Sequence, residues 1–217
     1  MNYTELVTAV SDYTENTFST ADMNLFIKQA ETRIYQTVQF PNLNKTATLA
    51  FTPNDRFLNC PSDFLASNTF AVISATGEYS FLLNKNIGFI REAYANPATT
   101  GVPKYYAIAG EQDADAKELK FVVGPTPATA LAVELQYFYY PESITTVVGG
   151  RTWLGDNFDP VLLYGALVEA YTQMKGEADM VALYDSKYKE AIALAKRYGD
   201  GSMKTDAYRS GGGRIAG

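Results

Sequence analysis

The sequence contains no histidine and, in 217 residues, only one cysteine and one tryptophan, Cys60 and Trp153. Without histidine the chain lacks the commonest general base and the commonest metal ligand, which argues against hydrolytic triads and zinc sites. One thiol cannot close an internal disulfide, so synthesis in a reducing cytoplasm is the economical reading. Cys60 stands before Pro61 in an apolar stretch, and with no histidine to activate it the side chain reads as a small buried hydrophobe. No apolar run approaches the roughly 18 residues that cross a bilayer. The opening MNYTELVTAV lacks the basic-then-apolar layout of a cleaved signal. A soluble, non-secreted protein is expected.

Recognised chemical motifs are missing too. There is no GxxxxGK[ST], and Gly211-Gly212-Gly213 neither follows a strand pattern nor opens a helix, so a nucleotide site is excluded. Glu111, Asp113 and Asp115 alternate on a turn-like segment but lack the glycine and closing glutamate of an EF-hand loop. No metal or cofactor is expected. No pair of carboxylates is nominated for glycoside hydrolysis, and the chain is not read as an enzyme.

What is present is apolar content, tyrosine and an uneven charge. An apolar fraction of 47% is enough for a real core in one large or two small domains. Sixteen tyrosines fit core and subunit-interface positions better than a sugar-binding platform. Trp153, between Gly150 and Gly155, is expected to lock a sheet onto a helical bundle. The net charge is −6, which disfavours a general grip on DNA phosphates. From Lys187 to Gly217, however, seven basic residues face three acidic ones, a net +4 that leaves −10 for the rest. An acidic body with a basic end is a polarity that orients one subunit against another or against a partner. Alternatively, Lys196 and Arg197 simply complement a helix dipole.

The hydrophobic period divides the chain. Residues 1–41 read as a helical hairpin: Leu6, Val7, Val10 and Tyr13 stripe a first helix, and Thr20 caps a second carrying Met23, Phe26, Ile27, Ala30, Ile34, Tyr35 and Val38. Residues 42–150 are strand-rich. Thr46 to Phe51 and Arg56 to Cys60 are expected to pair as a hairpin across Pro53-Asn54-Asp55. Further strands are expected at Ser67 to Ala75, Tyr79 to Leu83, Tyr105 to Ala109, Glu118 to Val123 and Ala132 to Tyr140, with a short helix between Asn86 and Asn96. The last strand is partly apolar on both faces, which leaves open a small sandwich or a sheet meeting a neighbour. Residues 151–199 read as a second helical hairpin, with Asp159 as N-cap, Pro160 at the first helical position and Gly199 as the stop. The expected fold is α+β: a four-helix bundle, two helices from each end, with an inserted antiparallel β region and an extended arm. Residues 200–217, rich in Gly, Ser and charge, form no core. They read either as disordered in an isolated subunit or as an arm that orders on a partner.

The motifs GVPKYYAIAG at 101–110, LKFVVGPTP at 119–127 and VELQYFYYPESI at 133–144, with CPSDF at 60–64 before them, occur in an order that resembles the head-to-tail adaptor (connector) proteins of podovirus-type tailed bacteriophages. Residues 152–195 are similar to the closing helix pair of that family, with its acidic-Pro start and Tyr-rich second helix. The resemblance implies a structural virion protein, assembled in the host cytoplasm and located in the neck. It implies a homo-oligomeric ring, usually of twelve copies, beneath the portal protein and above a tail tube or nozzle protein, with double-stranded DNA passing through the lumen without specific binding. It also implies a portal-contacting arm, whose residues here are Tyr198, Met203, Tyr208, Arg209 and Arg214. A tail-tube or neck-completion protein is the next reading, and a carbohydrate-binding module of a tail fibre a distant third.

Overall fold

Asn2 and Glu5 start the first helix by a reciprocal cap: Asn2 Oδ1 accepts from Glu5 N at 2.9 Å while Glu5 Oε2 accepts from Asn2 N at 2.8 Å. In the computed structural model, which describes residues 1–110 and 119–204 and side chains as far as residue 199, this helix, α1, spans Tyr3–Thr14. It buries Leu6 and Val10. The next helix, α2, spans Thr20–Thr37 and is capped by Ser19 rather than Thr20, because Ser19 Oγ reaches Asp22 N at 3.1 Å. Two compact units emerge: Met1–Leu43 together with Tyr140–Gly217, and Asn44–Tyr139. The architecture is mixed α+β.

In the helical unit, α4 (Trp153–Asn157) is a single turn capped by Thr152, and α5 (Asp159–Gln173) follows at once. Phe158, not Asp159, occupies the N-cap and offers no side-chain bond. Asp159 instead lies in the first turn, where its charge still complements the helix dipole. Helix α5 buries Val161, Leu162, Leu163, Ala166, Leu167, Val168 and Ala170, residues distributed around most of its circumference. Such a helix belongs at the centre. Accordingly α1, α2 and the last helix, α6 (Ala178–Lys204), all pack on α5. Gly165 sets the closest approach: a Cβ there would lie 3.0 Å from Ala30 Cβ and 3.3 Å from the Tyr188 ring.

The other unit is built from two four-stranded sheets. One has the order β1 (Asn44–Ala50), β10 (Ala132–Phe138), β3 (Ala66–Ile73), β4 (Tyr79–Phe81), and all its pairs are antiparallel. The second runs β2 (Phe57–Asn59), β8 (Leu119–Gly124), β7 (Tyr105–Gly110), β5 (Leu83–Asn84), with β5 parallel to β7. A short parallel pair joins β6 (Thr100–Gly101) to β9 (Thr126–Pro127). The expected hairpin between Thr46–Phe51 and Arg56–Cys60 does not form. Strand β1 pairs with β10 and β2 with β8, so Pro53-Asn54-Asp55 is a corner between sheets. Pairing with β8 stacks Leu58 opposite Phe121 in a common core, which a local hairpin cannot offer.

That core lies between the sheets. Phe70, Val72, Val133, Leu135 and Tyr137 from the first meet Tyr106, Phe121 and Val123 from the second, with Phe51, Cys60, Phe64 and Leu82 closing the ends. The Phe70 and Phe121 rings are 4.8 Å apart. Burying Phe121 completely stabilises the unit by about 1.5–3 kcal/mol. On the outer face of the second sheet, α3 (Ile87–Ala93) places fully buried Ile90 on Ala107 and Val122. The unit is thus a sandwich with one helix over its second sheet.

Candidate functional site

The residues carried over from the adaptor resemblance begin on α6, and its packing fixes where they start. Tyr184, Tyr188, Ile192, Ala195 and Gly199 recur at helical spacing and are buried. Arg33 on α2 lies over the Tyr188 ring at 5.6 Å and pairs with Glu169 on α5. Burial pushes the Tyr188 phenol up to about 12. Helices α2 and α5 therefore hold the middle of α6 in one place.

Its far end is held differently. Gly199 is not the expected helix stop, since α6 continues five residues further to Lys204. A Cβ at 199 would stand 2.6 Å from the Gln39 carbonyl oxygen and 3.2 Å from Val38 Cγ1, so the missing side chain is what lets α6 lie against the chain leaving α2. Beside it, Tyr198 joins an aromatic cluster. Its ring lies 5.3 Å from Phe158 and 6.3 Å from Trp153, and Phe40 lies 5.3 Å from Trp153 and 5.1 Å from Phe158. Trp153 thus finds its ring partners inside the helical unit, where it ties α4 to α6, and not on the sheet as its sequence position suggested. Its neighbours Phe40 and Tyr198 are distant in sequence, so nothing local reveals them.

Of the five arm residues, Tyr198 is half exposed. Met203 lies on the last turn of α6, with its side chain outside the described residues. Tyr208, Arg209 and Arg214 lie outside the described residues, as do Glu111, Asp113 and Asp115.

Two features escaped the sequence reading. Leu183, Leu194 and Tyr198, 47%, 60% and 50% exposed, share with Lys187 a second stripe of α6 at helical spacing. The signal was available as a second set of apolar residues at helical spacing. The other is Glu31, almost fully buried on α2, whose Oε1 accepts from Ile144 N at 2.9 Å. Desolvation raises its carboxyl above the ordinary range, against the pull of the Ile144 and Ser143 hydrogen bonds and of Lys28. It holds the segment entering α4 against α2.

In the sheet unit, a groove of about 620 Å³ is lined by Phe57, Ile87 and Val122 with Asp55, Arg91 and Lys120. Its charges are mixed and its floor is sheet. Asp63 accepts from Lys45 Nζ at 2.7 Å and from Tyr137 Oη at 2.8 Å; burial opposes its ionisation, but these partners prevail and hold the carboxyl below its usual range. Among the described residues no group of three His, Cys, Asp or Glu side chains is arranged to hold a metal ion. No helix among them is long and apolar enough to cross a membrane. What the geometry offers is a rigid helical body with an extended, partly aromatic and basic final helix.

No curated protein matches the chain. The model of the SU10 adaptor protein family, in contrast, matches residues 1–213, through both units and the whole of α6, and the chain belongs to that family.

Proposed function

We propose that this protein is the head-to-tail adaptor of a tailed phage particle, assembling as a ring beneath the portal, extending the DNA channel and joining the capsid to the tail. Membership of the adaptor family across residues 1–213 carries this reading. At the coarser level the chain is a structural adaptor protein of a phage. The four long helices act as a bundle and form the body of a ring of about twelve subunits, the number the resemblance implies, closed by rotation of one repeated contact. The sheet unit meets neighbours or the tail tube or nozzle, and the end of α6 with the residues beyond it reaches the portal, with Tyr198, Met203, Tyr208, Arg209 and Arg214 as contacts.

The net charge of −6 supports a conduit, because a lumen that attracted phosphates would retard DNA. The role is mechanical, not enzymatic, and is carried out in the virion neck after assembly in the host cytoplasm. Two measurements test it. Labelled protein located in electron micrographs of particles should sit between capsid and tail, and a position on the fibres would overturn the reading. Removing residues 205–217, which leaves α6 whole, should abolish capture by portal protein while the helical content of the chain is unchanged; capture at wild-type strength would remove the arm assignment.

A further inference from the structure

Residues 1–27 contain four carboxylates, Glu5, Asp12, Glu15 and Asp22, and no lysine or arginine. Glu5 is occupied in the α1 cap and Asp22 bonds Ser19 Oγ, but Asp12 and Glu15 form no ion pair among the described residues, and Tyr13 between them is 49% exposed. The second half of α6 has the opposite character. Between 186 and 199 it carries Lys187, Lys189, Lys196 and Arg197 against Glu190 alone. Lys189 is engaged by Asp185 within the helix, whereas Lys187, Lys196 and Arg197 have no acidic partner among the described residues. Lys187 and Arg197 lie along the uncovered stripe of Leu183, Leu194 and Tyr198, while Lys196 lies on another face, beside Gln36 to Gln39. One chain therefore exposes two different surfaces of opposite charge, each with large apolar side chains among the charges.

We propose that these surfaces bind each other between copies: the basic apolar stripe of α6 on one subunit docks on Asp12, Tyr13 and Glu15 at the end of α1 on the next. This rests on the ring reading and names the contact that closes it. Two unlike surfaces make a heterologous contact, which repeats head to tail instead of ending at a dimer. Charge complementarity sets direction and register and excludes pairing of like faces, while Leu183, Leu194 and Tyr13 supply the desolvated centre. A second copy is preferred to a foreign partner because both halves of the match lie on this chain. The stripe is also separate from the buried residues by which α6 packs on α5, so its use leaves the helical unit intact.

The test is self-association of the full chain, followed by sedimentation velocity over a concentration series. Lys187→Glu with Arg197→Glu should weaken assembly by roughly tenfold or more, and Asp12→Lys with Glu15→Lys should do the same. Mixing the two variants should restore mixed assembly, because the reversed α6 of one matches the reversed α1 end of the other and their two unchanged faces match each other. Far-UV circular dichroism checks folding, and Lys187→Gln with Arg197→Gln replaces any reversal that unfolds the chain. Wild-type-like assembly of both reversed proteins overturns this contact and leaves the ring standing. Weakening without rescue on mixing assigns the charges to some other partner and also overturns it. A wild-type chain that remains monomeric throughout removes the ring reading together with this one.

Discussion

Replacing Gly199 with alanine separates two physical accounts of the end of α6 because they predict opposite signs. By helix propensity alone, alanine in a helix interior is favoured over glycine by about 1 kcal/mol, so Gly199→Ala should stabilise a helix that runs on to Lys204. The tertiary contact says otherwise. The new methyl group would stand 2.6 Å from Gln39 O and 3.2 Å from Val38 Cγ1, and the nearer atom belongs to the backbone, which cannot swing aside as a side chain does. Overpacking of this kind costs about 1–3 kcal/mol, and a backbone neighbour places this site toward the upper end. After subtracting the propensity gain, Gly199→Ala should destabilise the helical unit by about 1–2 kcal/mol. For a chain of this size that lowers Tm by about 2–8 °C. The assay is thermal unfolding followed by circular dichroism, with Ala193→Gly at an exposed position of the same helix as the propensity control. The control should lose about 1 kcal/mol. A rise in Tm for Gly199→Ala would refute the close-packing account and leave Gly199 as merely a weak helix residue.

Two further predictions concern acids. Because the Glu31 carboxyl is raised in the folded state, its contribution to stability is greatest below the ordinary carboxylate range and is lost as pH rises through the raised value; Glu31→Gln, which keeps an acceptor for Ile144 N, should equal or exceed wild-type Tm at neutral pH and lose that advantage on acidification. A large drop in Tm at neutral pH would show that the charge itself holds the segment. Asp63 behaves in the opposite sense: its depressed carboxyl stabilises above the ordinary range and loses the effect as pH falls through the lowered value, so Asp63→Asn should cost about 1 kcal/mol at neutral pH and converge with wild type in acid, read from urea midpoints.

The long helices were legible in the sequence because each repeats a local period, and the apolar residues named for the second helix from spacing alone are those that α2 and its C-cap bury. Partner choice was not. Pro53-Asn54-Asp55 has the composition of a hairpin turn, yet the strands on either side join different sheets, since Leu58 gains more from Phe121 than from its neighbour in sequence. The same limit applies at Ser19 and Thr20, two adjacent cap formers distinguished only by which hydroxyl meets Asp22 N. Gly199 reads locally as a terminator, and the reason it is not one lies at Gln39, far away in sequence. Of the candidate arm, Tyr198 was visible as an aromatic at the end of a helix, but its neighbours Trp153 and Phe158 were not, because contacts among rings leave no trace in spacing.

The ladder between β1 and β10 also bears on how such a protein diversifies. Asn44, the first residue of the sheet unit, lies opposite Phe138, which is one residue from its end. Paired residues on antiparallel strands have Cα atoms only about 4.5–5.5 Å apart. The host chain is therefore interrupted at what is almost a single point, and the two cut ends lie within the span of an ordinary tight turn. Recombination there exchanges one whole module for another, longer, shorter or differently decorated, without changing a residue of the helical core. A lineage can keep one helical body and change the sheet unit by grafting at that stem.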